Sequence, residues 1–166
     1  MMSEQTSDQS ESVISPAERY ERGLALKNAG QHKSAVEQFE MATADPVYAL
    51  RAYAQMGLCL KLTNRYEEAV EAFRKALAAS TASSKETVQI LYVLGRTLES
   101  LGRVSETLEA YRWIRREDPE YRDVAGRIEE LSSRRPVSPV KKDHPAESPL
   151  ATVVLKSWQN LLGNSR

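Results

Sequence analysis

The amino-acid sequence predicts an all-α protein, a stack of three helix pairs closed by one further helix. Three observations predict it. From about residue 16 to residue 132 apolar side chains recur at helical spacing, and no stretch shows the sustained alternation of a strand. Breaker residues at Ala29-Gly30, Asp45-Pro46, Thr63-Asn64, Ser80 to Ser84, Leu101-Gly102 and Asp118-Pro119 cut this region into segments of roughly 12 to 18 residues, a usual helix length. One pattern of small and large residues returns at a near-constant interval.

The elements follow in order. Residues 1–15 carry Glu4, Asp8 and Glu11 among serines and glutamines, with no Lys or Arg. Such a segment buries too little apolar surface to offset its ordering entropy, so a disordered arm is expected. Ser15-Pro16-Ala17-Glu18 then starts a helix: serine caps, proline takes the first helical position and glutamate completes a capping box. The two Asp-Pro pairs each read as a cap followed by a first-turn proline, which places a capping helix over 119–132. Its apolar face is Tyr121, Val124, Ala125, Ile128 and Leu131, with charged residues opposite. Residues 133–149 hold Pro136, Pro139, Pro145 and Pro149 with Arg134, Arg135, Lys141 and Lys142, the composition of an extended linker. A last amphipathic helix is expected over 150–162, stopped by Gly163-Asn164.

The recurring pattern is concrete. Gly23, Gly30, Ala35, Phe39 and Ala42 are followed 34 residues later by Gly57, Asn64, Ala69, Phe73 and Ala76, and a further 38 later by Gly95, Gly102, Thr107, Tyr111 and Ile114. The extra residues fall in the loop around Thr81 to Ser84, where an insertion costs little. A mid-helix glycine costs about 1 kcal/mol against alanine, so something must offset it. Close approach of a second helix would do so, with Ala35 and Ala69 as the matching small face and the aromatic residue one turn further on. Gly30, Asn64 and Gly102 suit a left-handed turn between the paired helices.

At these residues the chain resembles the tetratricopeptide repeat (TPR) family, with repeats over about 16–46, 49–80 and 87–119. The resemblance implies a right-handed alpha-alpha superhelix, a TPR-like solenoid of three helix pairs plus a C-terminal capping helix. The match is fullest in the second repeat, with Tyr53, Gly57, Tyr66, Ala69, Phe73 and Ala76. The first has His32 where an aromatic is usual. In the third, Thr107 and Ile114 replace alanines, and looser packing is expected there. The first helix of each pair lines the hollow face of such arrays. That puts Tyr20, Leu24, Lys27, Arg51, Leu58, Lys61, Tyr92 and Arg96 in a candidate peptide-binding groove, beside Ala54, Leu62, Gln89 and Glu99. This mixture suits an amphipathic helix or an extended peptide carrying acidic groups. Co-chaperone repeats that grip a C-terminal carboxylate place lysine, asparagine and arginine at slots held here by Tyr20, Leu24, Gln55, Gln89 and Val93, so that specialised clamp is not expected.

Leu150, Val154, Trp158 and Leu161 share one side of the last helix and form a candidate docking helix. It could dock on its own repeats, dock on another protein with Trp158 as anchor, or touch a membrane. The third is the least supported, because the polar face carries only Lys156 as a cation before Arg166.

Composition narrows the function. The 166 residues are 41% apolar and 28% charged, with 23 basic and 23 acidic side chains. A net charge of zero gives no general pull toward nucleic acid or anionic membrane. The start lacks a signal peptide's basic-then-apolar order, and no apolar run reaches the ~18 residues of a spanning helix, so a cytoplasmic location is expected. Cys59 lies inside a helical segment and reads as a small buried residue, His32 as a packing residue and His144 as a solvated one. With no ligand spacing, no phosphate-binding glycine loop and no nucleophile elbow, no metal, cofactor or catalysis is expected. The expected function is a non-catalytic scaffold or adaptor that binds another protein through the groove. The alternative is a structural subunit attached through the Trp158 helix.

Overall fold

The computed structural model describes residues 14–79 and 81–134. Among these residues lie seven helices: α1 (Pro16–Asn28), α2 (His32–Ala42), α3 (Pro46–Leu62), α4 (Tyr66–Ala78), α5 (Ser84–Ser100), α6 (Val104–Glu117) and α7 (Val124–Ser133). Each packs on the next, and α1 also touches α3, and α3 touches α5. Residues 1–13 of the expected 1–15 arm, residues 135–149 of the expected 133–149 linker and the whole of the expected 150–162 helix lie outside the described residues.

The first helix of each pair starts on a side-chain cap. Ser15 and Ser83 form full capping boxes with Glu18 and Glu86, and Asp45 accepts a hydrogen bond of 2.9 Å from the Val47 N–H. The second helices start without one, and the turn before them does the work instead. The N–H groups of Gln31, Arg65 and Arg103 each donate to the carbonyls of Leu26, Leu60 and Leu98 at 2.9 Å, closing the preceding helix. This closure requires a left-handed residue one position earlier, and Gly30, Asn64 and Gly102 supply it with φ of 75°, 60° and 69°.

The mid-helix glycines serve a different contact from the one expected. A Cβ on Gly23 or Gly57 would meet the ring of Phe39 or Phe73 at 2.6 Å, and one on Gly95 would overlap the Tyr111 ring. The aromatic ring of the second helix therefore fills the notch in the first, and it is the ring, not the facing backbone, that excludes a side chain. The third pair is not splayed. Thr107 is fully buried in the alanine slot, and its hydroxyl donates to the Arg103 carbonyl at 2.9 Å, so no polar group is left unsatisfied. Ile114 is equally buried.

The core forms two clusters. One unites Ala35, Phe39, Ala42, Ala52 and Cys59; the larger runs from α3 to α7, and Val36 and Met56 pack against both. Cys59 is thus a core thiol, raised above its ordinary pKa by burial, with Lys27 pulling weakly the other way. Trp113 belongs to the larger cluster.

The last described helix begins at Val124, not at residue 119. Asp118 is extended, and its carboxylate accepts from the Glu120 N–H in a turn. Arg122 then adopts φ 48°, which breaks the helical path. The break turns Tyr121 edge-on against Tyr92, with ring centroids 5.6 Å apart, and sets the Arg122 guanidinium 4.7 Å from the Tyr92 ring centre. Val124, Ile128 and Leu131 form the buried face as expected, but Ala125 is exposed.

Candidate peptide-binding face

Stacking the pairs brings α1, α3 and α5 side by side, and inter-helix bonds show which groove candidates meet. Lys27 donates to the Gln55 side chain at 2.6 Å, tying α1 to α3. Arg51 faces Glu86 at 3.8 Å, tying α3 to α5. Tyr20 sits between Phe39 and Tyr48, each ring centre 5.7 Å away. Burial raises its hydroxyl pKa, while the neighbouring Arg51 works against that shift. Leu24 and Leu58 are half-buried and pack on the two core clusters. Leu62, one turn beyond Leu58, is 63% exposed.

Toward the far ends of α3 and α5 the face is cationic. Lys61 is held below the ordinary lysine pKa by burial first and by the charge of Arg96 second. Arg96 lies 3.7 Å from Glu99, but that carboxylate is already engaged. It accepts from Arg127 at 3.0 and 3.1 Å and from the Tyr111 hydroxyl at 3.0 Å. Burial and this bond to a carboxylate push the Tyr111 hydroxyl well above its usual range.

One candidate is not open to the groove. Tyr92 is only 9% exposed, because the 119–123 turn folds over it. Its hydroxyl donates to Asp123 at 2.8 Å, and Arg122 covers its ring. Sequence reasoning missed Gln55 as the partner of Lys27 and Glu86 as that of Arg51. Both could have been sought, since the helix pairs stack first helix on first helix. The Arg122 stack gave no signal, because a left-handed arginine is not readable from composition. Leu150, Val154, Trp158 and Leu161 lie outside the described residues.

The opposite wall has a different charge arrangement. On the second helices, Arg74 bridges Glu71 and Glu106 at 2.8 and 2.7 Å, and Arg103 bridges Glu67 and Glu106 at 3.0 and 2.7 Å. These pairs staple α4 to α6 and use up their own charges.

Paired helices, a ring seated in each glycine notch and a shared wall of first helices define a helical-repeat solenoid. The chain matches the tetratricopeptide repeat family over residues 20–84 and again over residues 60–122, together more than half its length. It belongs to that family. Repeats of this kind generally mediate protein–protein interaction and are typically non-catalytic. No curated protein matches the chain. Among the described residues no helix is long and apolar enough to cross a membrane.

Proposed function

We propose that the protein is a cytoplasmic scaffold or adaptor, without catalytic activity, that binds a peptide or amphipathic helix of another protein along the wall formed by α1, α3 and α5. The observation that carries this reading is the mixture on that wall. Half-buried Leu24 and Leu58 and exposed Leu62 offer an apolar stripe, and Lys27, Arg51, Lys61 and Arg96 border it. A ligand helix would lay its own apolar face on the leucines and set polar groups against the cations. The test is affinity capture with the full chain, followed by direct binding of the captured protein to the purified native chain and to the Arg51→Glu/Arg96→Glu variant. A partner that binds the native chain and is lost in the variant, with both melting alike, supports the reading. Retained binding places the partner elsewhere.

A further inference from the structure

A cavity of about 490 Å³ opens on the back of the second repeat, away from the wall of first helices. Pro46, Ala49 and Tyr53 of α3 and Lys75, Ala78 and Ala79 at the end of α4 line it. Ala49 and Tyr53 each stand two residues from Arg51, about 200° around the helix, so they face away from the groove candidates on α3. Thr81, in the connector that carries the insertion before α5, also lines the space. Lys75 is exposed, with its ammonium 5.7 Å from the centre of the Tyr53 ring. The third repeat treats its copy of this place differently. A shift of 38 carries Ala49, Tyr53 and Lys75 to Thr87, Leu91 and Trp113, which are only 6%, 0% and 7% exposed. A tryptophan in the Lys75 slot is thus a side chain that the helix pair accommodates, and the second repeat has none of its own there.

We propose that the chain's own Trp158 fills this cavity, with residues 150–162 lying along the backs of α3 and α4. Trp113 and Trp158 are the two tryptophans of the chain, and the first is already in the core. The sequence sets Leu150, Val154, Trp158 and Leu161 at helical spacing, an apolar stripe that exposed Ala78 and half-buried Ala49 and Ala79 can receive. Tyr53 offers a ring to stack on, and Lys75 can cover the indole face, because cation–π attraction is strongest for tryptophan. The reach is sufficient. The packing order α4, α5, α6, α7 puts three steps of about 8–10 Å between the cavity and α7, and residues 135–149 extend to about 50 Å. A short tether holds the segment at an effective concentration of about a millimolar, so an open apolar site is enough to retain it. The wall of first helices stays free, and the partner-binding reading above neither supports nor needs this contact.

The test compares the amide NMR spectrum of the isotopically labelled full chain with that of its Trp158→Ala variant. The two should differ at Ala49, Tyr53, Lys75, Ala78, Ala79 and Thr81, to the same extent in dilute and concentrated samples. Lys75→Trp plants the third repeat's solution in the second, and in that background Trp158→Ala should move only signals near residue 158. Ala78→Glu blocks an exposed lining position without adding a ring and should have the same effect. Circular dichroism confirms that each variant is folded. Differences gathered on Tyr20, Leu58 and Arg96 would put the segment in the groove and overturn the assignment. Differences confined to the neighbours of residue 158 in the native background would overturn it as well. Differences at the cavity that grow with concentration, with a dimer in sedimentation, would give the site to a second copy and overturn the intramolecular contact.

Discussion

Replacing Gly57 by alanine sets two opposing effects against each other. Alanine is the better helix former by about 1 kcal/mol in a helix interior, and α3 places Gly57 well inside its span. On propensity alone the variant would be more stable. The added Cβ, however, would lie 2.6 Å from Cε1 and 2.8 Å from both Cδ1 and Cζ of Phe73. Ordinary carbon–carbon contact needs about 3.5 Å, so ring and helix must part by about 1 Å. Phe73 is fully buried among alanines and has no open side to move into. Overpacking costs roughly 1–3 kcal/mol, occasionally more; with contacts this short in a closed site the upper part of that range applies, and set against the propensity gain of about 1 kcal/mol it leaves a net loss of about 1–2 kcal/mol. Urea unfolding followed by circular dichroism reads this as a lower midpoint at unchanged slope. Gly126→Ala is the internal control, since a Cβ there meets nothing within 4 Å and that glycine is exposed on α7. It should gain about 0.5–1 kcal/mol. Adding Phe73→Leu to Gly57→Ala should cost less than the separate losses together, because the smaller side chain frees the space. A Gly57→Ala protein as stable as the native one would refute the ring-in-notch account of why the repeat keeps its glycine.

Three other expectations are accessible to standard assays. Ser83→Ala removes the capping bonds to Glu86 and should cost about 1 kcal/mol, read as a lower melting temperature; no change would mean that α5 is held by packing alone. Burial works to raise the Asp123 pKa, but bonds from Tyr92 and Arg127 outweigh it and hold the carboxylate below its ordinary value. Its contribution is therefore complete above about pH 4 and is lost as pH falls through the lower folded value, so the native chain should lose more melting temperature on acidification than Asp123→Asn; parallel losses would count against the cap clasp. If the segment 150–162 occupies the groove, deleting residues 150–166 should tighten partner binding, whereas unchanged or weaker binding would argue against self-occlusion.

The repeat was legible in the sequence because its physical demands fall on single residue types at fixed intervals. A ring needs a notch, so Gly23 answers Phe39 and Gly95 answers Tyr111. A closing turn needs a left-handed residue, so Gly30, Asn64 and Gly102 recur. The second Asp-Pro pair misled because proline fits a turn as well as a first helical position. What decides at Asp118-Pro119 is tertiary: Tyr121 and Arg122 gain more from covering Tyr92 than from continuing a helix. That same cover takes Tyr92 out of the candidate groove, and the local pattern around α5 holds no trace of it. Thr107 reads as a misfit in an alanine slot until its bond to the Arg103 carbonyl is seen. The electrostatics of the wall were less legible still, because Lys27, Lys61 and Glu99 look alike as exposed charged positions and differ only in which neighbours the stack brings to them.

The most direct measurement of the central claim is the amide NMR footprint of a bound partner segment on the isotopically labelled chain. The account predicts shifts gathered on α1, α3 and α5, largest around Leu58, Lys61 and Arg96. A footprint confined to α2, α4 and α6 would contradict it.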